Sequence, residues 1–300
     1  MRTRTVRRVG LSVAVAAALT SVAACGGSDD KGSDNRGGAA VKADPIAALR
    51  DVQKKTGGES SAKVEGTTQM GTTMSMKQSG TIDWTDGLTG TMEITYTGGT
   101  MADAMKQNGG TGTMQARYFK DGYAVNMGEA FAKQAGGKHW INYGYADLAK
   151  LAGASGEAMK QQMQNTTPDQ GLKSLLASGD VKRVGQEDVR GVSATHYSGT
   201  VDVAALTAKN SELDADQLAQ LKKQLSDVGI TTEKIDIWVD KNDLLVKKTE
   251  RGQMKTGELN STVYYSDYGT KISVEKPSAG DTVDFTDLVK QQQGSGAGTN

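Results

Sequence analysis

The chain has a single cysteine, three prolines, two histidines and three phenylalanines in 300 residues. One cysteine excludes an internal disulfide, so packing alone must hold the fold. Neither histidine, His139 or His196, has cysteine, histidine or carboxylate neighbours at a metal-ligand spacing. His196 falls in the alternating stretch "VSATHYSGT", where a strand histidine with a satisfied hydrogen bond is the plain reading. No serine occupies a nucleophile elbow. The glycine-rich "GGTGTM" lies between strand-like stretches, without the strand-then-helix setting of a phosphate loop, and reads as a turn. No residue nominates itself as catalytic, as a metal ligand or as a cofactor contact, so an enzyme is not expected. Charge of one sign is also lacking: 35 basic residues balance 35 acidic ones. With no positive excess to neutralise phosphates, nucleic acid is not an expected partner. Bulky residues are few, with 36% apolar and 5% aromatic. A chain this long with so little to bury has a thin core, or a core interrupted by a cavity. Glycine (38) and methionine (12) are what it has in quantity.

The apolar residues that do cluster lie at the start. Arg2, Arg4, Arg7 and Arg8 precede "VGLSVAVAAALTSVAA", the basic head and apolar stretch of an export signal over residues 1–24. The stretch is short for a membrane span, which needs about 20 predominantly apolar residues. An uncleaved anchor is the alternative. Val22-Ala23-Ala24-Cys25 resembles a bacterial lipobox. That resemblance implies that the Cys25 thiol receives a diacylglyceryl group, that cleavage leaves Cys25 first, and that a further acyl chain joins its amine. One chain holds a protein to a membrane marginally and two or more hold it stably, at about 0.8 kcal/mol per buried CH₂. The expected location is the extracytoplasmic face of a bacterial cell membrane. Arg7-Arg8 leaves both the general secretory and the twin-arginine routes open.

Residues 25–43, glycine, serine and charge after the cysteine, read as a flexible tether. Residues 44–290 read as one domain, and "QQQGSGAGTN" (291–300) as a disordered tail. Asp44 and Pro45 predict a helix start, with Ile46, Leu49 and Val52 on one face and Gly57 at its end. "YADLAKLAG" is a short helix candidate. Thr167 and Gln170 predict a capping box for "GLKSLLASG", and Asp214 and Gln217 cap a helix with Leu218, Leu221, Leu225 and Val228 along one side. The remaining segments alternate with period two. In "ARYFKDGYAVNMG", Asp121-Gly122 predicts a positive-φ hairpin turn, and "VKRVGQEDVRGVSATHYSGTVD" reads as a second hairpin. "EKIDIWVD", "LLVKKTERG" and "ELNSTVYYSDYG" close the chain as strands. The pattern is α+β, with one large curved antiparallel sheet and helices on one face.

On the lipobox, the helix after the tether, "ARYFKDGYAVNMG" followed by "GKHWINY", and the ending "KIDIWVDKNDLLVKKTERG…STVYYSDYG", the chain resembles the LolA/LppX-like envelope lipoproteins, in particular the LppX/LprG group. The resemblance implies a half-barrel, an eleven-stranded antiparallel sheet in typical members, with helices packed on its concave face. Between them it implies an apolar cavity that takes the acyl chains of a lipid or glycolipid. Val64, Met70, Met74, Met76, Ile82, Trp84, Met92 and Ile94 share one candidate face. They are either ordinary core or the pliable wall of that cavity, a role suited to methionine. The expected function is lipid binding by a membrane-anchored lipoprotein, with carriage of envelope lipid as one form of it. The alternative is a ligand-free envelope interaction or sensory module, which the threonine-rich inward face favours.

Overall fold

The computed structural model describes residues 44–152, 167–206 and 213–296. Helix α1 (Pro45–Gly58) starts as its sequence predicts: Asp44 accepts a 3.1 Å hydrogen bond from the Ile46 N–H, and Pro45 occupies the first turn. Three hairpin strands follow, β1 (Ser61–Met70), β2 (Met74–Asp83) and β3 (Thr89–Gly98). After α2 (Gly99–Gln107) come β4 (Thr113–Phe119), β5 (Gly122–Asn126), α3 (Gly128–Ala132), β6 (Trp140–Gly144) and α4 (Tyr145–Ala152). Helix α5 (Gln170–Ser178) precedes the hairpin of β7 (Lys182–Val189) and β8 (Val192–Asp202). Helix α6 (Ala215–Asp227) carries the predicted capping box between Asp214 and Gln217. The chain closes with β9 (Thr232–Val239), β10 (Leu245–Met254), β11 (Gly257–Ser266), β12 (Thr282–Asp284) and α7 (Phe285–Gly296).

All twelve strands form one open sheet in the order β12-β6-β5-β4-β3-β2-β1-β11-β10-β9-β8-β7. Every neighbouring pair is antiparallel except β12 with β6. The α+β class is therefore as expected, with one strand more than the resemblance implied. That strand is the three-residue β12.

Directly opposed residues in a sheet share a face. Val64 lies opposite Gly80 on one side and Tyr265 on the other. This face meets the helices. Leu172, Leu175 and Leu176 of α5 and Leu49 and Val52 of α1 pack with Val201, Ile235, Ile237, Val239 and Val263 into the main core. Each fully buried leucine or isoleucine contributes about 1.5–3 kcal/mol relative to exposure. Gly199 permits the contact: a Cβ there would sit 2.6 Å from Leu175 Cδ1 and closer still to the Asp180 carbonyl.

The opposite face carries two smaller clusters. Val189, Ala194 and Trp238 form one, with Val246 and Tyr264 against it. Phe119, Ala124 and Trp140 form the other, with Val274 against it. Arg117 reaches from β4 to the Glu275 carbonyl at 2.9 Å, which ties the segment after β11 across this end.

Several local expectations need correction. The Thr167–Gln170 capping box does not form. Asp169 is the N-cap of α5 and makes no side-chain cap bond, because the helix starts after the turn at 168–169, beyond Thr167. Val228 is 37% exposed and stands off the apolar side that Leu218, Leu221 and Leu225 present to the core. The turn between β4 and β5 is at 120–121, and Gly122 is a strand residue with no positive φ. Its glycine is required by the close approach of the Tyr143 carbonyl on β6. The tail expected at 291–300 continues α7 as far as Gly296. Helices α2, α3 and α7 and strand β12 were not anticipated. The sheet ends are a three-residue strand at one side and, at the other, β7. Strand β7 has an irregularity between Arg183 and Gly185 and exposes Lys182, Arg183, Glu187 and Asp188.

Candidate functional site

The eight residues expected to wall a cavity lie in four settings. Val64 is in the main core and Ile82 packs against it. Met70 belongs to a small cluster at the strand ends with Val203, Ile230 and Met254, and Met74 stands opposite it. Trp84 is buried beyond the end of β2, edge-on to Tyr268 at 6.4 Å. Met76, Met92 and Ile94 continue the helix-side face outward across β2 and β3. Over β8–β11, α1 and α5 press onto the sheet with Leu49, Leu172, Leu175, Ile235 and Ile237 all at 0% exposure. The interior there is filled, so the expected hollow between sheet and helices is not found at that place. Cys25 lies outside the described residues.

What the register does bring together is a stretch the sequence reading only half identified. Met76 is opposite Tyr96, Ile94 opposite Met114, and Met92 opposite Ala116. Tyr118 is opposite Tyr123, and Tyr123 opposite Tyr143. These side chains share the helix-side face, yet none joins the main core, whose nearest members on this side are Val64 and Ile82. Met92 and Ala116 are buried; Met76, Ile94, Tyr96, Met114, Tyr118, Tyr123 and Tyr143 are only half-buried. The tyrosines stack in a row, Tyr123 on Tyr143 at 4.7 Å and Tyr143 against Phe285 of α7 at 5.0 Å. Burial pushes the Tyr118 and Tyr123 hydroxyls up to about 12, so they remain neutral donors. The alternation in "TMQARYF" and "GYAVN" was the available signal for Met114, Tyr118 and Tyr123; the missing information was which strands lie side by side.

The filled half of the same face holds a charged group. Lys248 donates to Glu250 at 2.6 Å. Burial opposes the charge on Lys248, but the adjacent Glu250 carboxylate outweighs it and the lysine pKa is raised. Glu233, 6% exposed, is pushed up to about 7 by burial and then by the Glu250 charge. Gly171 of α5 lies directly above: a Cβ would come within 2.6 Å of Lys248 Cδ.

Both histidines bridge two carboxylates. His196 meets Glu187 at 2.7 Å and Asp236 at 3.0 Å, and stacks on Trp238 at 4.3 Å. Trp238 in turn donates to Glu187 at 2.7 Å. His139 meets Asp281 at 2.6 Å and Glu129 at 3.2 Å. The hydrogen bonds to Asp281 and Glu129 raise the His139 pKa. Among the described residues no cluster of three or more potential ligands could hold a metal ion, and no helix is long and apolar enough to cross a membrane.

A groove of about 340 Å³ opens on the opposite face, over β1–β3, lined among others by Glu65, Thr67, Lys77, Ser79, Glu93 and Arg190.

No family model matches the chain. A Streptomyces griseus protein, the 31.2 kDa product of the rplA-rplJ intergenic region, is 70% identical over 250 residues, covering 83% of this chain and 82% of its own. A Streptomyces coelicolor protein named "Putative lipoprotein SCO4650" is 45% identical over 306 residues, covering 96% of this chain and 98% of its own. Among solved structures, LprF from Mycobacterium bovis matches 78% of this chain and 97% of its own, with a TM-score of 0.46 and 14% identity. LppX from Mycobacterium tuberculosis matches 77% and 97%, with a TM-score of 0.45 and 14% identity.

Proposed function

The chain belongs to the streptomycete family of these two relatives, and on that premise we propose that it is a lipoprotein, anchored through Cys25 to the outer side of the cell membrane, that binds the acyl chains of a lipid or glycolipid. The observation that carries the ligand reading is the half-buried methionine and tyrosine face on β2–β6, which no member of the main core covers. Methionine conforms to chains of variable shape, and a row of neutral tyrosine hydroxyls gives a headgroup donors at the edge of an apolar surface. The work done is burial: roughly 25 cal/mol for each Å² of apolar surface removed from water. The tether at 26–43 gives the domain reach over the membrane beneath it.

The test is native mass spectrometry of the protein purified from membranes, followed by delipidation and rebinding. Lipid that co-purifies and rebinds supports the reading, and a Cys25→Ser chain should be released from membranes. A protein that carries no lipid and takes none up is not a lipid carrier.

A further inference from the structure

The polar face opposite the helices is not uniform. Over β8–β11 its groups are mutually engaged: His196 stacks on Trp238, Lys247 sits 3.9 Å over that indole, and Thr249 donates to Asp236 at 3.3 Å. At the other end Arg117 lies 4.6 Å over Trp140, beneath the segment that follows β11. Between the two, over β1–β3, the face is hollowed into the groove of about 340 Å³. The β7–β8 turn builds its wall. Arg190 and Gly191 both take positive φ, 54° and 87°. This brings the Arg190 guanidinium 3.6 Å over the Tyr264 ring, where it donates to Glu65 at 2.8 Å. Lys63 holds the same carboxylate at 2.8 Å.

Of the remaining lining side chains, Thr95 pairs with the Thr113 hydroxyl at 3.0 Å, and the others have no such partners. Among the described residues Lys77 and Glu93 make no salt bridge, and the side chains of Thr67 and Ser79 and the Tyr264 hydroxyl make no hydrogen bond. Arg190 uses one nitrogen on Glu65, and a guanidinium carries five N–H donors. Free donors and free acceptors thus face one concave space that is also charge-balanced: Glu65 and Glu93 against Lys77 and Arg190. An anion entering it meets two carboxylates, and a cation meets two bases. A hydroxyl, donor and acceptor at once, is answered at every point. The volume is at the lower end of the few hundred Å³ typical of ligand sites.

We propose that this groove is a second binding site, on the face away from the lipid surface, for a neutral hydroxyl-rich ligand of the oligosaccharide class. Recognition is by hydrogen bonding and not by ring stacking, because the Tyr264 face within the groove wall is already occupied by Arg190.

The test is an amide NMR titration of the full chain in detergent micelles. Maltohexaose and N-acetylated chitohexaose serve as neutral probes, an oligogalacturonate as the anionic control and oligoglucosamine as the cationic one. A neutral probe is expected to shift the amides of Thr67, Ser79, Glu93 and Thr95 while those of Leu175 and Ile237 stay in place. Glu93→Gln removes one charged acceptor and should weaken that binding by roughly tenfold, with thermal unfolding unchanged because Glu93 has no partner to lose. The proposal is overturned if neither neutral probe moves the groove amides, if a charged control moves them as strongly, or if Glu93→Gln binds as well as the parent. Lipid uptake is read separately, by rebinding, so either result can stand without the other.

Discussion

Replacing Glu233 with glutamine should make the protein more stable at alkaline pH and leave it unchanged in acid. Glu233 occupies the helix-side face of β9, 6% exposed, with Glu250 diagonally across on β10. Burial, and then the Glu250 charge, raise its carboxyl from 4.5 to about 7. A carboxyl that protonates more readily folded than unfolded contributes its stability below the unfolded value. That contribution fades as pH climbs from about 4.5 to about 7. Above 7 the folded protein carries a buried anion disfavoured by about 3 kcal/mol relative to the unfolded chain. Glutamine has the same shape and never ionises. Urea unfolding of parent and Glu233→Gln across this pH range gives the difference directly. The two curves should coincide below pH 4.5 and part by about 3 kcal/mol above 7. Titrating groups remote from Glu233, His139 among them, act on both proteins equally and cancel. Parallel curves, or a parent that gains on the variant as pH rises, would refute the reasoning.

Four further outcomes are expected. Leu175→Ala, at a site with 0% exposure in the main core, should lower unfolding free energy by about 2–5 kcal/mol, measured by denaturant titration with an unchanged slope. The His139–Asp281 contact raises the histidine pKa and so stabilises the attachment of the C-terminal segment below the unfolded value, a support lost as pH rises through the folded value. Hydrogen exchange should show β12 amides losing protection over that interval, and Asp281→Asn should reduce the pH dependence to what the Glu129 contact supplies. Ile94→Glu, on the half-buried stretch outside the main core, should reduce lipid rebinding in the mass spectrometry assay by at least tenfold while α5 protection stays intact. Gly171→Ala places a methyl group against Lys248 Cδ at 2.6 Å. A fall in melting temperature is expected, because the lysine held to Glu250 beneath α5 must give way.

Period-two alternation proved reliable within strands. Even-numbered residues of β1, β2 and β3 do share a face, because the β1–β2 turn keeps Met70 opposite Met74 and the β2–β3 register keeps Gly80 opposite Met92. Local chemistry also held at the helix starts where a side chain could act alone, as with Asp44 and the Asp214–Gln217 box. It misled at Thr167, where the turn at Pro168 and Asp169 moved the helix start. Nonlocal facts were beyond it. Nothing in "EKIDIWVD" says that Glu233 lies beside Glu250, since that depends on the β9–β10 register. Nor does "VRGV" disclose that Arg190 will lie on Tyr264 and bond to Glu65, 125 positions away. The candidate cavity wall is dispersed for the same reason: its strand members share a face, but the order of the strands decides which of them α1 and α5 cover.

An open sheet has two margins, and an unguarded margin invites another chain to add itself. Here one margin is only three residues long and the other is kinked and studded with lysine, arginine and acids. Neither offers a neighbour a straight run of free backbone. Crowding many copies side by side should therefore leave them separate, with no tendency to zip into fibres.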